Sequence, residues 1–337
     1  MKNVEIIDLA TYDNKHSIDK CEVCIIGAGA AGIYLAVSLA SKGIDTILLE
    51  AGGLESVNSR SIGFEYDFEK ELYSGATKGR FFGLGGTTAY WGGLLVPHTR
   101  YDIKNGDASN IWRYIVDVVD SKSAIVLKKL GWNRGGEFLS FNNSKSRQHQ
   151  KLLKTFRIDL MQDLSLPFRK KNFSHLLEKL PESSFKLKVF INSVACSWKC
   201  SDGGKVQSVE IRHCNDKKFE IKADKFVISA GAIESARILL ELNEHFKGSG
   251  IKSTAAIGRY LTDHISLPVA KVDESSLEEV VEKFSPHFSH GWMRSYRFID
   301  YTSNSKIPRS FFHFIFKNKS TGFFVAKEIL TAMQRRR

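Results

Sequence analysis

Between Val23 and Gly53 the chain spaces its glycines and one acid as a dinucleotide cradle requires: Gly27-Ala28-Gly29-Ala30-Ala31-Gly32, then Glu50, 18 positions beyond the last glycine. Gly27 lets the main chain turn sharply, Gly29 leaves backbone N–H groups bare for a pyrophosphate, and Gly32 lets a helix lie close to a strand. Ala30 and Ala31 open that helix without bulk, so its partial positive end can face the phosphates. Glu50 can accept both hydroxyls of an adenosine ribose, and its charge repels the 2′-phosphate of NADP. The triplet by itself does not separate FAD from NAD.

The elements that must hold these residues are legible around them. An apolar run from Val23 to Ile26 predicts a strand, the Ala/Leu-rich stretch through Ser41 a helix ended by Gly43, and Ile44 to Leu49 a second strand. Ala51-Gly52-Gly53 then lets backbone pass close to a bulky ligand.

A second segment, Gly79-Arg80-Phe81-Phe82-Gly83-Leu84-Gly85-Gly86-Thr87-Thr88-Ala89-Tyr90-Trp91-Gly92-Gly93, packs six glycines into fifteen residues among aromatics and hydroxyls. Glycine at that density costs backbone entropy, which fits main chain passing against something flat or charged rather than a flexible linker. Buried aromatics are chiefly apolar payload, so Tyr90 and Trp91 also suit core packing.

Residues 1 to 19 are polar without clear periodicity, and residues 110 to 185 read as helical, with Ile111, Ile115, Val118 and Val119 among Lys and Asp. From Leu187 the period becomes two: Val189, Ile191, Val194, a Gly203-Gly204 hairpin, Val206, Val209, Ile211, Phe219 and Ile221 predict a small antiparallel ribbon. A buried strand, Phe226 to Ser229, runs into Ala230-Gly231-Ala232-Ile233-Glu234, a glycine turn and helix that repeats the logic of the first cradle. The tail alternates aromatic and polar residues through Trp292, Tyr296, Phe298 and Tyr301 as a half-buried sheet does, and Phe311 to Phe316 reads as a buried strand at most.

At 337 residues with 42% hydrophobic content the chain can build two domains or one large discontinuous one. Forty-nine Lys+Arg against 37 Asp+Glu give a net charge of +12, but the basic residues are scattered rather than striped with aromatics, so no nucleic-acid partner is expected. Five cysteines, an odd number, and a start unlike a signal peptide point to a reducing cytoplasm. Cys21 and Cys24 have redox-motif spacing but flank the first strand, which favours a buried pair of small hydrophobes; no metal site is expected. No apolar run approaches the roughly 18 residues of a transmembrane segment.

Four blocks, Ile25 to Gly53, Gly79 to Gly93, Phe226 to Leu240 and Gly258 to His264, stand in one order that resembles the glucose-methanol-choline family of FAD oxidoreductases. The resemblance implies an α/β fold: a Rossmann-like FAD-binding domain (18–95 and 186–265), an inserted helical region (96–185), and the start of an incomplete α+β substrate domain on an antiparallel sheet (266–337). It also implies FAD pyrophosphate on Gly27, Gly29, Ala30, Ala31 and Gly32, the ribose on Glu50 and Ala51, flavin and diphosphate lined by Gly85, Gly86, Thr87 and Thr88, and adenine against the backbone of Val194. Ala230 and Gly231 would close over the cofactor, with Asp263 and His264 near the flavin edge. Tyr90 stands where some relatives carry a histidine bonded to the flavin, so a non-covalent FAD is expected.

Nothing after Leu267 resembles the family's catalytic pair, and His287, His290 and His313 lack its flanking glycines, so no catalytic base is assigned. The expected activity is oxidation of CH–OH groups of an alcohol, sugar or polyol by hydride transfer to flavin. The alternatives are a truncated, impaired relative or one part of a split enzyme needing a second subunit or a C-terminal segment, and, more weakly, an NAD-dependent dehydrogenase, in which the Gly79–Gly93 block has no role.

Overall fold

The order of elements in the computed structural model alternates strand and helix early and turns strand-rich later, as the sequence pattern does. They are β1 (Glu5–Asp8), β2 (Asp19–Ile26), α1 (Ala30–Ala40), β3 (Thr46–Leu49), α2 (Ser74–Lys78), β4 (Leu94–Leu95), α3 (Asn110–Lys129), β5 (Asp159–Ser165), β6 (Leu187–Ile191), β7 (Val194–Cys200), β8 (Val206–Arg212), β9 (Lys218–Ile228), α4 (Gly231–His245), α5 (Leu277–Phe284), β10 (His287–Ser289), β11 (Trp292–Ile299) and β12 (Phe311–Phe312). The structure describes residues 4–12, 19–69, 73–95, 98, 103, 110–132, 159–180, 186–202, 204–213, 218–246, 256–263, 267–285, 287–289, 292–299, 311–316, 329 and 332. Two units form: Met1–Trp91 with Lys171–Ser266 and Lys327–Arg337, and Gly92–Lys170 with Leu267–Ala326.

The first unit is built on a seven-stranded sheet ordered β1-β6-β3-β2-β9-β8-β7. Strands β1, β6, β3, β2 and β9 run parallel, the arrangement of a Rossmann-like α/β fold, and β8 and β7 add antiparallel strands at one edge. All four residues of β3 are buried, as expected for a parallel strand covered on both faces. Helix α1 packs against β3 and the 3-10 helix Phe173–Lys179, burying Ile33, Ala36, Val37 and Ala40. Ile238 and Leu242 of α4 join the core with Ile26, Ile47, Leu49, Phe190 and Ile221. Burial of each large side chain there contributes about 1.5–3 kcal/mol.

α1 ends where expected: Gly43 adopts φ +79°, and the amides of Gly43 and Ile44 donate to Ala40 O and Leu39 O. Three segments differ from their sequence pattern. Residues 5–8, without clear periodicity, form β1, because pairing to β6 supplies the hydrogen bonds that four residues cannot make alone. β6 lies parallel between β1 and β3 instead of in an antiparallel ribbon, and only β7, β8 and the start of β9 form that ribbon. Phe226 to Ile228 prove to be the half-buried rather than buried end of a longer strand, with Ser229 just past it: β9 meets β8 antiparallel through Lys218–Lys222 and β2 parallel through Ile221–Ile228.

The second unit carries an antiparallel sheet, β10-β11-β5-β4, with β12 paired to β11. The stretch read as helical thus contains α3 but also β5, whose seven residues pair with β11 from Asp159↔Ile299 to Ser165↔Met293. The segment read as a buried strand is short and open: only Phe311–Phe312 is strand, residues 312–316 are half-buried or exposed, and Ile315 is 71% exposed, because this edge pairs through two residues alone. No helix among the described residues is long and apolar enough to cross a membrane.

Candidate functional site

At the end of β2 the chain turns through Gly27 at φ +98°, a conformation that side chains rarely adopt, and enters α1. A Cβ on Gly27 would sit 2.6 Å from Ser229 O, and one on Gly32 would overlap the carbonyl oxygen of Gly27. Gly29 differs, since nothing lies within 4 Å of the Cβ position and the residue is ordinary extended backbone. Gly29 caps α1 without a side chain, no acid stands in the first turn, and Ala30 and Ala31 are exposed. The first amides of α1 therefore open outward, lacking intrahelical partners and carrying the positive end of the helix dipole.

Glu50 ends β3 and is 6% exposed. Its Oε2 accepts from Ala28 N at 2.9 Å and its Oε1 from Gly52 N at 3.0 Å, and the Gly83 amide also donates to it, so the carboxylate braces both glycine turns and keeps acceptor capacity for one further donor. Burial raises its pKa from 4.5 to about 7 against the lowering pull of the amides of Gly52, Ala28 and Gly83. Ala51 is half-buried beside it. The turn between β6 and β7 returns here: Ser193 N donates to Glu50 O and Asn192 N to Gly52 O, at 2.8 and 2.7 Å, which sets buried Val194 at the same end.

The second glycine block lies on the first. Gly85 N donates to Ala28 O (2.9 Å), Leu84 N donates to Gly53 O (2.9 Å), and a Cβ on Gly86 would stand 3.1 Å from Gly29 Cα. Thr87 is exposed, whereas buried Thr88 turns its hydroxyl inward, donating to Gly85 O at 2.6 Å and accepting from Phe173 N at 3.0 Å. The third block joins them, with Ser229 Oγ 3.0 Å from Ile26 O and 3.1 Å from Gly27 O, and Ala230 Cα 2.7 Å from the Gly27 Cβ position. Gly231 starts α4 at φ +80° with open space around it.

Asp263 is exposed and accepts a hydrogen bond from Tyr73 Oη, and His264 lies outside the described residues. Tyr90 stacks on Phe81 with ring centroids 3.9 Å apart and planes 9° from parallel. Cys21 and Cys24 are both buried within β2, and burial, then the neighbouring Cys21, pushes the Cys24 thiol well above its ordinary value. Sequence reasoning did not single out Ser229, Asn192 or Asn172: Ser229 Oγ reaches Ile26 O and Gly27 O, and Asn192 Nδ2 donates to Asp8 Oδ1 at 2.8 Å, contacts between distant segments that leave no local spacing signal, whereas the Asn172 side chain caps its own 3-10 helix.

Main-chain amides at an uncapped helix, glycines that exclude side chains and a buried acid at the far strand end fit the diphosphate and ribose of a dinucleotide. Residues 20–67 match the family of FAD binding domains. No curated protein matches the chain. Similar solved structures include a formate oxidase of Aspergillus oryzae (15% identity, 68% of this chain, 50% of that one, TM-score 0.45). Others are pyridoxine 4-oxidase from Mesorbium loti (16%, 68% and 54%, TM-score 0.42) and a fungal aryl-alcohol oxidase (14%, 65% and 47%, TM-score 0.40). The chain spans about half the length of these solved structures.

Proposed function

We propose that the protein is an FAD-dependent oxidoreductase acting on the CH–OH group of an alcohol, sugar or polyol, with FAD held non-covalently. The observation that carries this reading is the hydrogen bond from Gly85 to Ala28, which lays the second glycine block on the dinucleotide turn. An NAD-dependent dehydrogenase needs no such second layer. The amides of Ala30, Ala31 and Gly32 would face the diphosphate, Glu50 the ribose hydroxyls, Val194 the adenine, and Gly85 to Thr88 with Ala230 and Gly231 the rest of the cofactor.

When bound, the flavin supplies a hydride acceptor. The chain's share is to hold it in place: the amides around Gly29 orient the phosphates, and the glycine backbones at Gly85 and Gly86 exclude bulk beside them. A proton must also leave the substrate hydroxyl, and no described residue is assigned to take it.

The purified protein decides the matter. A yellow product that returns FAD on denaturation, and whose flavin is bleached under argon by some member of a panel of alcohols, sugars and polyols, is expected. A colourless protein that takes up no added FAD would overturn the cofactor; bound flavin that no member bleaches would overturn the substrate class.

A further inference from the structure

The 3-10 helix Phe173–Lys179 begins at Asn172, whose Oδ1 accepts from Ser174 N at 2.9 Å. Only the oxygen of the amide can accept, so this bond fixes which way the group faces and therefore where Nδ2 points. Asn172 is 5% exposed, and its Nδ2 donors find no acceptor among the described residues. The Nδ2 donors are thus left for solvent or a ligand to accept.

That amide lies against the second glycine block. A Cβ on Gly85 would run into Asn172 Oδ1 and lie 3.2 Å from Nδ2, so the amide rests directly on Gly85. Gly85 is itself bonded to Ala28, and Gly86 abuts Gly29, where the turn is open. Two neighbours hold the segment still: Phe173 N donates to Thr88 Oγ1 at 3.0 Å, and Trp91 Nε1 donates to Lys171 O at 2.8 Å. The carbonyl of Asn172 is engaged by His175 Nδ1 at 2.7 Å. The donor is thus fixed before any ligand arrives.

Resting on the cofactor reading above, we propose that Asn172 is a cofactor-binding residue whose side-chain amide donates to the diphosphate seated on the Gly27–Gly32 turn. It supplies a further wall of the site from a segment 85 residues beyond the second glycine block's Thr87.

Asn172→Asp tests this. Asp caps a helix as well as Asn does, so Ser174 N keeps its acceptor, but the donor becomes an anion beside a dianion. Calorimetric titration of flavin-free protein with FAD and with ADP, which shares only the diphosphate and adenosine, is expected to show both affinities falling at least tenfold. The melting temperature of the ligand-free protein should stay within about 2 °C of the parent, since only the far side of the cap has changed. Asn172→Ser, which keeps a capping oxygen but cannot reach the ligand, should lose affinity for both several-fold. Equal binding by the parent and both variants would overturn the assignment. So would a loss confined to FAD, which would put the contact on the flavin, or a loss matched by an equal fall in ligand-free stability, which would leave only the cap. A parent that binds neither ligand removes the cofactor reading itself, and this contact with it.

Discussion

Arg80 and Glu234 form an ion pair with 2.6 Å between Nη2 and Oε1, their side chains 14% and 8% exposed, which ties the second glycine block to the first turn of α4. Glu234 also accepts from Arg237 Nε at 2.7 Å, and the Arg80 guanidinium lies 5.3 and 5.0 Å from the rings of Tyr66 and Phe82. The carboxylate sits where the α4 dipole favours it. Glu234→Gln leaves Arg80 desolvated without its counter-charge, so a stability loss of about 3 kcal/mol is expected in urea unfolding. A loss below about 0.5 kcal/mol would mean that solvent screens the pair as at an open surface.

Two glycines of the first turn separate folding from binding. Gly32→Ala drives a methyl into the carbonyl oxygen of Gly27, backbone that cannot move aside without displacing β2, so soluble yield and melting temperature should drop sharply. Gly29→Ala meets nothing within 4 Å, so the ligand-free protein should melt as the parent does while FAD affinity falls. Equal melting of both variants would contradict the packing at Gly32.

The buried Glu50 makes stability depend on pH. Its carboxyl holds a proton to about pH 7 in the folded protein, against 4.5 as its ordinary value, so between these the folded state binds more protons than the unfolded chain. Stability is then greatest below about pH 4.5 from this group and declines as pH rises to about 7, by about 3 kcal/mol at most. Glu50→Gln should flatten that slope in urea unfolding at pH 5 and pH 8. If the parent and the variant show the same slope, another group titrates. Ribose hydroxyls donate better to the anion, so FAD uptake should strengthen as pH rises through about 7.

Tyr90, where the resemblance to the glucose-methanol-choline family implies an FAD held non-covalently, stacks on Phe81. Acid precipitation should release all of the flavin into the filtrate. Flavin colour remaining on the precipitated polypeptide would refute the non-covalent proposal.

What the amino-acid order determined by itself is what depends on neighbours in the chain. The turn at Gly27, the helix from Ala30, its end at Gly43 and the acid closing β3 are all set by residues within one β-α-β unit, and the structure shows them at those positions. The β7–β8 hairpin belongs to the same class, since its turn and its period of two are local. Tertiary structure alone decided the rest. A period of two states that Leu187–Ile191 is extended but not that it runs parallel between β1 and β3, because strand direction and neighbours follow from which edge is open when the chain returns. Nor does any spacing announce that Asn172 lies on Gly85, that Ser229 reaches Gly27 O, or that Arg80 meets Glu234 across 154 residues. Such polar contacts join segments through folding of the whole sheet, and their partners are backbone atoms or lone charges that carry no repeat.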